Sequence, residues 1–146
     1  MPTLIPKTPV QQRVLANFQQ QNFLGLIGAE LTLVEPGRVV IEMPFDPKLT
    51  QQHQALHAGV TSTIADTAAG YAALTTMPEG ADVMTIEFKV NLMAPGRGVR
   101  FKADARAVRT GRTVTVVEAR VSALQESGIW VETASFLGTM ICLMPK

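Results

Sequence analysis

One carboxylate stands out in the sequence because of its surroundings. The twenty residues from Ala58 to Met77 are almost all small or apolar, and Asp66 is the only charged residue among them. Such a run predicts a buried helix roughly 30 Å long. An unpaired buried carboxylate is costly or has a raised pKa, and proteins keep such groups mostly at working sites. Asp66 is therefore a candidate functional residue. The alternative is that it lies on a partly solvent-exposed side of the helix or bonds to Thr63 or Thr67.

A histidine and two small residues open the same helix. His57-Ala58-Gly59 lies where a helix has free backbone N–H groups and the positive end of its dipole, which can hold an oxyanion. Asp66 follows His57 by nine residues, about two and a half turns of helix. That separation is too great for direct contact within one helix. The two side chains could meet around one substrate only if a second chain supplied one of them.

Other kinds of site find little support in the sequence. His53 and His57 are joined by no third histidine, nearby cysteine or loop carboxylate, whereas zinc normally takes three or four protein ligands. We therefore expect no metal. Neither Ser62 nor Ser135 lies in a nucleophile-elbow pattern. The glycines of segment 95–98 open no helix that could cradle a phosphate.

The elements around the apolar helix predict an α+β fold. Thr8-Pro9 suits the start of an amphipathic helix, and Glu35-Pro36-Gly37 suits a hairpin turn. Four later segments alternate between apolar and polar residues, and in the first of them Thr85 shares the polar face with Glu87. This order predicts one antiparallel sheet covered by a helix. The expected elements are a helix from Pro9, strands at 30–34 and 38–45, the long helix from about 57 to 77, and strands at 82–93, 99–108, 112–123 and 129–143.

Composition narrows the classes of function. The 146 residues carry 13 Lys plus Arg against 12 Asp plus Glu, which argues against a protein that coats nucleic acid or an anionic membrane. Only 17% of residues are charged, so part of the surface is expected to be buried against a second copy. The lone Cys142 excludes an internal disulfide. With no signal-peptide pattern and no stretch as long as a membrane span, we expect a soluble, cytoplasmic protein.

Several segments together resemble one protein family. They are residues 51–60 (QQHQALHAGV), 64–66 (IAD), 85–92 (TIEFKVNL), 95–96 (PG) and 109–112 (RTGR). From about Gly25 to the C-terminus the chain is similar to the PaaI-like hot-dog thioesterases, and the spacing from His57 to Asp66 is the most specific part. The resemblance implies one hot-dog domain over residues 1–146, in which the sheet wraps around the central helix and residues 1–24 form an N-terminal extension with a helix.

The resemblance also implies hydrolysis of an acyl-CoA to a free acid and CoA, at sites between two subunits that draw on both chains. Asp66 matches the family's catalytic carboxylate, which acts as a general base for water or as a nucleophile. The backbone N–H of Ala58 matches the donor to the thioester oxygen. Gln51 matches an Asn or Gln that orients the carbonyl or the water, and Thr85 matches a Ser or Thr that places the water. No cofactor and no metal are implied.

The helix start departs from the family's usual pattern at one residue. Most members have Gly where this chain has Ala58, and Ala keeps the N–H in place if its backbone is helical but not if its φ is positive. His57 either contacts substrate or caps the helix. Gly59, which belongs to the same helix start, is counted among the substrate-binding residues.

Several alternatives stay open from the sequence. Arg97, Arg109 and Arg112 are candidates to bind CoA phosphates, although basic residues on turns are often only solvated. The acyl group is either aromatic or medium-chain, and the assembly is either a homodimer or a homotetramer. The main alternative to an enzyme is an acyl-CoA or aromatic-ligand binding protein of the same fold without turnover. A structural partner protein with a hydrophobic helix is a third reading.

Overall fold

A six-stranded antiparallel sheet and one long helix dominate residues 3–146, the part of the chain that the computed structural model describes. The helices are α1 (Pro9–Gln19), α2 (Asn22–Leu26) and α3 (Ala58–Leu74), and the strands are β1 (Glu30–Glu35), β2 (Arg38–Pro44), β3 (Asp82–Leu92), β4 (Arg100–Thr110), β5 (Val114–Leu124) and β6 (Trp130–Leu143). The strand order is β1-β2-β4-β5-β6-β3. The predicted α+β class is confirmed. No helix in this part of the chain has the length and apolarity needed to cross a membrane.

Helix α1 begins as the sequence predicts. The Gln11 N–H donates to Thr8 Oγ1 (3.2 Å), and the Gln11 side chain accepts a hydrogen bond from the Thr8 N–H (3.3 Å). Pro9 fills the first helical position, where an N–H would have no partner in the helix. The sequence does not predict α2, because five residues are too few to show a helical period. Residues 1 and 2 of the expected N-terminal extension lie outside the described part.

Helix α3 packs across the sheet and forms the core with it. Its buried face is rich in alanine, so the helix backbone lies close to the strands. The helix ends at Leu74, whereas the sequence predicts an end near Met77. The Thr75 and Thr76 hydroxyls bond to backbone carbonyls of the preceding turn (2.7 Å each), and the Arg13 guanidinium donates to the Leu74 carbonyl (2.8 Å). These bonds satisfy the last carbonyls and end the helix early.

One stripe of α3 is only partly buried. Ser62, Thr63, Asp66, Thr67 and Gly70 recur at intervals of three or four residues and share one side of the helix. The prediction of a helix buried on every side is therefore wrong along this stripe, which carries the helix's only carboxylate.

Strand β3 is an edge of the sheet, and a bulge divides it. Opposite β6, Thr85 pairs with Met140 and Glu87 pairs with Thr139, so that Ile86 is an extra residue. A bulge shifts the alternation of side chains by one position. The sequence puts Thr85 on the polar face with Glu87, and this prediction is wrong. The bulge turns Thr85 to the side of the sheet that faces α3.

Candidate active site

The Asp66 carboxylate is held by a strand rather than by its own helix. The Thr85 hydroxyl donates to Asp66 Oδ1 at 2.8 Å and also lies 3.2 Å from the Met140 sulfur. The expected alternative, a bond to a neighbouring helix hydroxyl, is not what the structure shows, because Thr63 donates to the Gly59 carbonyl. Thr85 therefore fixes one oxygen of the carboxylate and leaves the other available.

Burial controls the acidity of this carboxylate. It raises the pKa of Asp66 above its ordinary value, and the hydrogen bond from Thr85 opposes that rise because it stabilises the charged form. A carboxylate whose pKa is raised is a stronger base than a solvated one. The raised pKa therefore suits Asp66 to take a proton from water.

A small cavity of about 120 Å³ lies beside Asp66. Helix α1 contributes Asn17 to its lining, and Gln21 just after α1 also contributes. The buried Tyr71 donates to Asn17 Oδ1 (2.8 Å) and accepts from the Gln21 amide (2.6 Å). Burial raises the pKa of Tyr71 to about 12, so its hydroxyl stays protonated. The amphipathic pattern of α1 suggests only packing, and the sequence gives no sign of this cluster.

The start of α3 presents one free backbone donor. His57 caps the helix, because its Nδ1 accepts the Gly59 N–H at 2.9 Å. The structure thus favours the capping role of His57, and it leaves Gly59 without a free N–H. Ala58 is the first residue of the helix and does not have a positive φ. Among residues 3–146 its N–H has no acceptor.

Two neighbouring loops hold this helix start in place. The His57 N–H donates to the Leu49 carbonyl, and the Leu56 N–H donates to the Gly96 carbonyl, each at 2.9 Å. Gly96 approaches so closely that an added Cβ would lie 3.0 Å from Leu56 Cβ. This contact explains why Pro95-Gly96, far away in sequence, belongs to the same constellation as the helix start.

Gln51 lies in the loop before α3 and faces the same space as Ala58. Its Oε1 accepts the His53 backbone N–H. Because an N–H can bond only to the oxygen of the amide, this contact fixes the orientation of the Gln51 side chain and leaves its NH₂ group as a donor. Gln54 closes the loop with a φ of 61°, in the left-handed region that few non-glycine residues adopt.

A larger cavity of about 350 Å³ lies against this helix start. Gln51 and Ala58 contribute its donors, and Leu92, at the end of β3, contributes an apolar wall. Asp66 and Thr85 do not line it and belong to the smaller cavity. Ala58 and Asp66 are about 12 Å apart along the helix axis. Within one chain, the backbone donor of Ala58 and the carboxylate of Asp66 therefore lie in separate cavities.

The three candidate arginines divide between the two ends of the sheet. Arg97 directly follows the Pro95-Gly96 loop of the larger cavity. Arg109 and Arg112 lie at the β4–β5 hairpin. Thr115, at the start of β5, pairs with Met140 of β6, and Met140 pairs in turn with Thr85 of β3. The hairpin therefore lies at the same end of the sheet as Thr85. All three are exposed. In the described part of the chain, no three His, Cys, Asp or Glu side chains are placed to share a metal ion.

The helix-covered antiparallel sheet, the free backbone N–H at the helix start and the partly buried carboxylate fit a class of thioester hydrolases, and comparison with known proteins shows this family. A family model described as the thioesterase superfamily matches residues 53–128, a range that includes Ala58, Asp66 and Thr85. A thioesterase family protein from Silicibacter pomeroyi has a TM-score of 0.91 and 42% identity, covering 93% of this chain and 99% of that one. The chain belongs to the thioesterase superfamily.

Two further likenesses are more distant. The PaaI protein of E. coli has a TM-score of 0.80 at 20% identity, over 90% of this chain and 91% of that one, which confirms the PaaI-like hot-dog fold. Human acyl-coenzyme A thioesterase 13 is 28% identical over 72% of this chain and 76% of its own length. The chain spans 60% to 68% of the lengths of the first three curated relatives that it matches.

Proposed function

We propose that this protein hydrolyses acyl-CoA thioesters at a site shared by two copies of the chain. The observation that carries the proposal is the division of the site. Asp66 with Thr85 lies in one cavity, and the free Ala58 N–H with Gln51 lies in another. The cavity with Asp66 lacks an oxyanion donor, and the cavity with Ala58 lacks a general base. The name of the human relative, an acyl-coenzyme A thioesterase, supports the choice of substrate.

The chemistry uses both halves in one step. The free oxygen of Asp66 takes a proton from water while the water oxygen adds to the thioester carbonyl carbon. The negative charge that develops on the carbonyl oxygen is stabilised by the Ala58 N–H and the Gln51 NH₂ group. The intermediate then collapses, the C–S bond breaks, and the thiolate leaves. The proton held by Asp66 passes to the thiolate, which gives the free acid and CoA.

Thr85 favours this general-base role over direct attack by Asp66. Its hydroxyl donates a hydrogen bond to Asp66 Oδ1. One carboxylate oxygen is therefore fixed, and the other is left for the attacking water. A thiolate is a good leaving group and needs little help from an acid. This would explain why the site holds few titratable side chains.

The edge strand β3 is the surface that we propose joins the two copies. It is 11 residues long, and no strand pairs with its outer edge among residues 3–146. Met84, Ile86, Phe88 and Leu92 along it are each 44% to 59% exposed. A long apolar edge strand is prone to pair with another chain. A second copy would cover both its unpaired backbone and its apolar side chains.

Antiparallel pairing of β3 with the same strand of a second copy would also complete the site. It brings the Leu92 end of each copy to the Asp82 end of the other. Leu92 lines the donor cavity, and Thr85 near the opposite end lines the carboxylate cavity. Each donor half would then face the carboxylate half of the other copy, with His57 nearer to the other copy's Asp66 than to its own. A dimer is the smallest assembly that provides this arrangement.

Mixing two inactive variants tests the proposal. Asp66→Asn removes the base, and Ala58→Pro removes the N–H at the first helical position, where proline is well tolerated. A mixed dimer would combine the intact Ala58 of one chain with the intact Asp66 of the other. Unfolding and refolding the two together should restore about a quarter of the wild-type thiol release, because half of randomly formed dimers are mixed and each has one good site.

The outcomes of this experiment separate the alternatives. Thiol release is measured on aromatic, medium-chain and long-chain acyl-CoAs, for the wild type, each variant alone and the mixture. Restored activity only in the mixture supports a shared site. Activity in the wild type without restoration places the site within one chain. A wild type that binds acyl-CoA without releasing thiol is a binding protein.

A further inference from the structure

We propose that the Thr61 hydroxyl is a further catalytic group, which donates a hydrogen bond to the thioester carbonyl oxygen beside the Ala58 N–H. This inference rests on the proposed function and adds a side-chain donor to its oxyanion site. The hydroxyl keeps its proton throughout the reaction, and its bond strengthens as negative charge develops on the oxygen. Helix α3 then supplies both a backbone donor and a side-chain donor from its N-terminal end.

The Thr61 hydroxyl differs from a similar hydroxyl that follows it in α3. The Thr63 hydroxyl donates to the Gly59 carbonyl at 2.8 Å, which is the usual bond of such a residue within a helix. The equivalent acceptor for Thr61 is the His57 carbonyl, which already accepts the N–H groups of Val60 (2.9 Å) and Thr61 (3.2 Å). The Thr61 hydroxyl does not bond to it and has no other partner among residues 3–146.

This unpaired hydroxyl is buried but not fully enclosed. Thr61 is only 5% exposed. In the described part of the chain, the fully enclosed side-chain atoms without a partner are Arg13 Nε and Arg100 Nη2, and Thr61 Oγ1 is not among them. The space still open to it is the cavity of about 350 Å³ that Thr61 lines together with Ala58 and Gln51. Because an unpaired polar group in the core is costly, this hydroxyl is suited to a ligand atom.

The position of Thr61 brings its hydroxyl toward the Ala58 N–H. Residues three apart share one side of a helix, with Cβ atoms about 5–6 Å apart. Helical side chains lean toward the N-terminus of the helix. The Thr61 side chain therefore extends over the first turn, where Ala58 lies. One oxygen atom between the two donors can accept a hydrogen bond from both.

The other polar groups around this cavity also favour an acceptor on the ligand. The Gly96 and Thr133 carbonyls each already accept a backbone N–H, at 2.9 Å and 2.8 Å. Gln51 Oε1 accepts one as well. The polar groups left free are therefore donors, namely the Ala58 N–H, the Gln51 NH₂ group and the Thr61 hydroxyl. Three donors around one cavity suit an oxygen that gains negative charge.

Removing the hydroxyl while keeping the shape of the side chain tests the inference. Thr61→Val does this, and Thr63→Val is the matched control, because it makes the same change two positions further along α3 at a hydroxyl that bonds to the helix itself. On benzoyl-CoA and hexanoyl-CoA, Thr61→Val should lower kcat roughly 10- to 100-fold with little change in KM, because the bond is strongest in the transition state. Thr63→Val should leave kcat nearly unchanged. Thr61→Ser, which keeps the hydroxyl, should recover most of the loss.

Two further measurements separate a donor from a packing role. Thr61→Ala also lacks the hydroxyl and should lose as much kcat as Thr61→Val, whereas a packing role would spare the valine variant. Benzyl-CoA and hexyl-CoA are thioethers that have no carbonyl oxygen. Their inhibition constants should therefore be the same for Thr61→Val and the wild type.

The opposite results overturn the inference. Normal kcat in Thr61→Val, an equal loss in Thr63→Val, no recovery in Thr61→Ser, or weaker binding of the thioethers to Thr61→Val would each remove Thr61 from the oxyanion site. All four leave the proposed function standing. A wild type that releases no thiol from any acyl-CoA overturns the proposed function as well.

Discussion

The carboxylate half and the donor half of the proposed site are built in opposite ways. The proposed base, Asp66, is a side chain whose charge burial makes costly, and a bond from one strand residue, Thr85, holds it in place. The proposed donor at Ala58 is a backbone N–H, which every residue except proline carries. It depends on loops, with the carbonyls of Leu49 and Gly96 fixing the chain just before it. The comparison teaches that residue type matters in the first half and backbone position in the second.

Asp66→Asn should have the largest effect. Asparagine keeps the shape and can accept the Thr85 hydrogen bond but cannot take a proton, so kcat should fall about 10²- to 10⁴-fold. Steady-state thiol release measures this loss. A variant with nearly normal kcat would remove Asp66 from the chemistry.

The same variant makes a prediction about stability with a definite sign. Burial raises the pKa of Asp66 in the folded chain, so its charged form favours unfolding at neutral pH. Asp66→Asn should therefore unfold at an equal or higher temperature at pH 7. This gain should shrink as the pH falls and vanish below the pKa of the unfolded carboxyl. A lower Tm at pH 7 would show that the carboxylate supports the fold.

Ala58→Pro should come next, with a loss in kcat of about 10²- to 10³-fold. His57 has φ −60° and ψ 135°, the extended conformation that a residue before proline prefers. The fold should therefore accept the change, which circular dichroism and Tm would verify. Ala58→Gly is the control, because it keeps the N–H and should keep most of the activity. Equal losses in both variants would mean that the methyl group, not the N–H, matters.

Thr85→Val should have a smaller effect on rate and a distinct effect on pH dependence. Loss of a hydrogen bond to a charged group should lower kcat roughly tenfold. That bond also lowers the pKa of Asp66, so its removal raises the pKa further. The acid limb of the kcat/KM profile should move to higher pH in Thr85→Val. A limb that moves to lower pH would contradict the assignment of Asp66 as the base.

The sequence suggests much of the proposed site because parts of it are contiguous. A single charge in a twenty-residue apolar run and the fixed spacing from His57 to Asp66 are visible without a structure. The α+β order of elements also follows from periodicity. The helix cap at Thr8 is predicted correctly because all its contacts lie within three residues.

The sequence fails where a feature depends on distant pairing. The bulge at Ile86 exists only against β6, so alternation alone puts Thr85 on the wrong face. The bond between Asn17 and Tyr71 joins residues 54 positions apart, and no local pattern predicts it. The end of α3 depends partly on Arg13, 61 residues from the carbonyl it binds. Each error is a tertiary contact that overrides a local signal.

The smallest expected effect concerns the arginines, and it sharpens the comparison of the two halves. Arg97 directly follows Gly96, which lines the donor cavity. Arg109 and Arg112 lie nearer the carboxylate end, and the proposed antiparallel pairing of β3 would bring the two groups toward one entrance. An exposed charge that meets a CoA phosphate should lower KM only roughly two- to fivefold, and less at high salt. Arg97→Gln and Arg109→Gln should therefore raise KM for acyl-CoA without changing kcat, and their effects should fade in 0.5 M salt. N-acetylcysteamine thioesters of the same acyl groups, which lack the phosphates, are the control. If a variant raises KM equally for both kinds of thioester, its arginine does not bind CoA, and the entrance lies elsewhere.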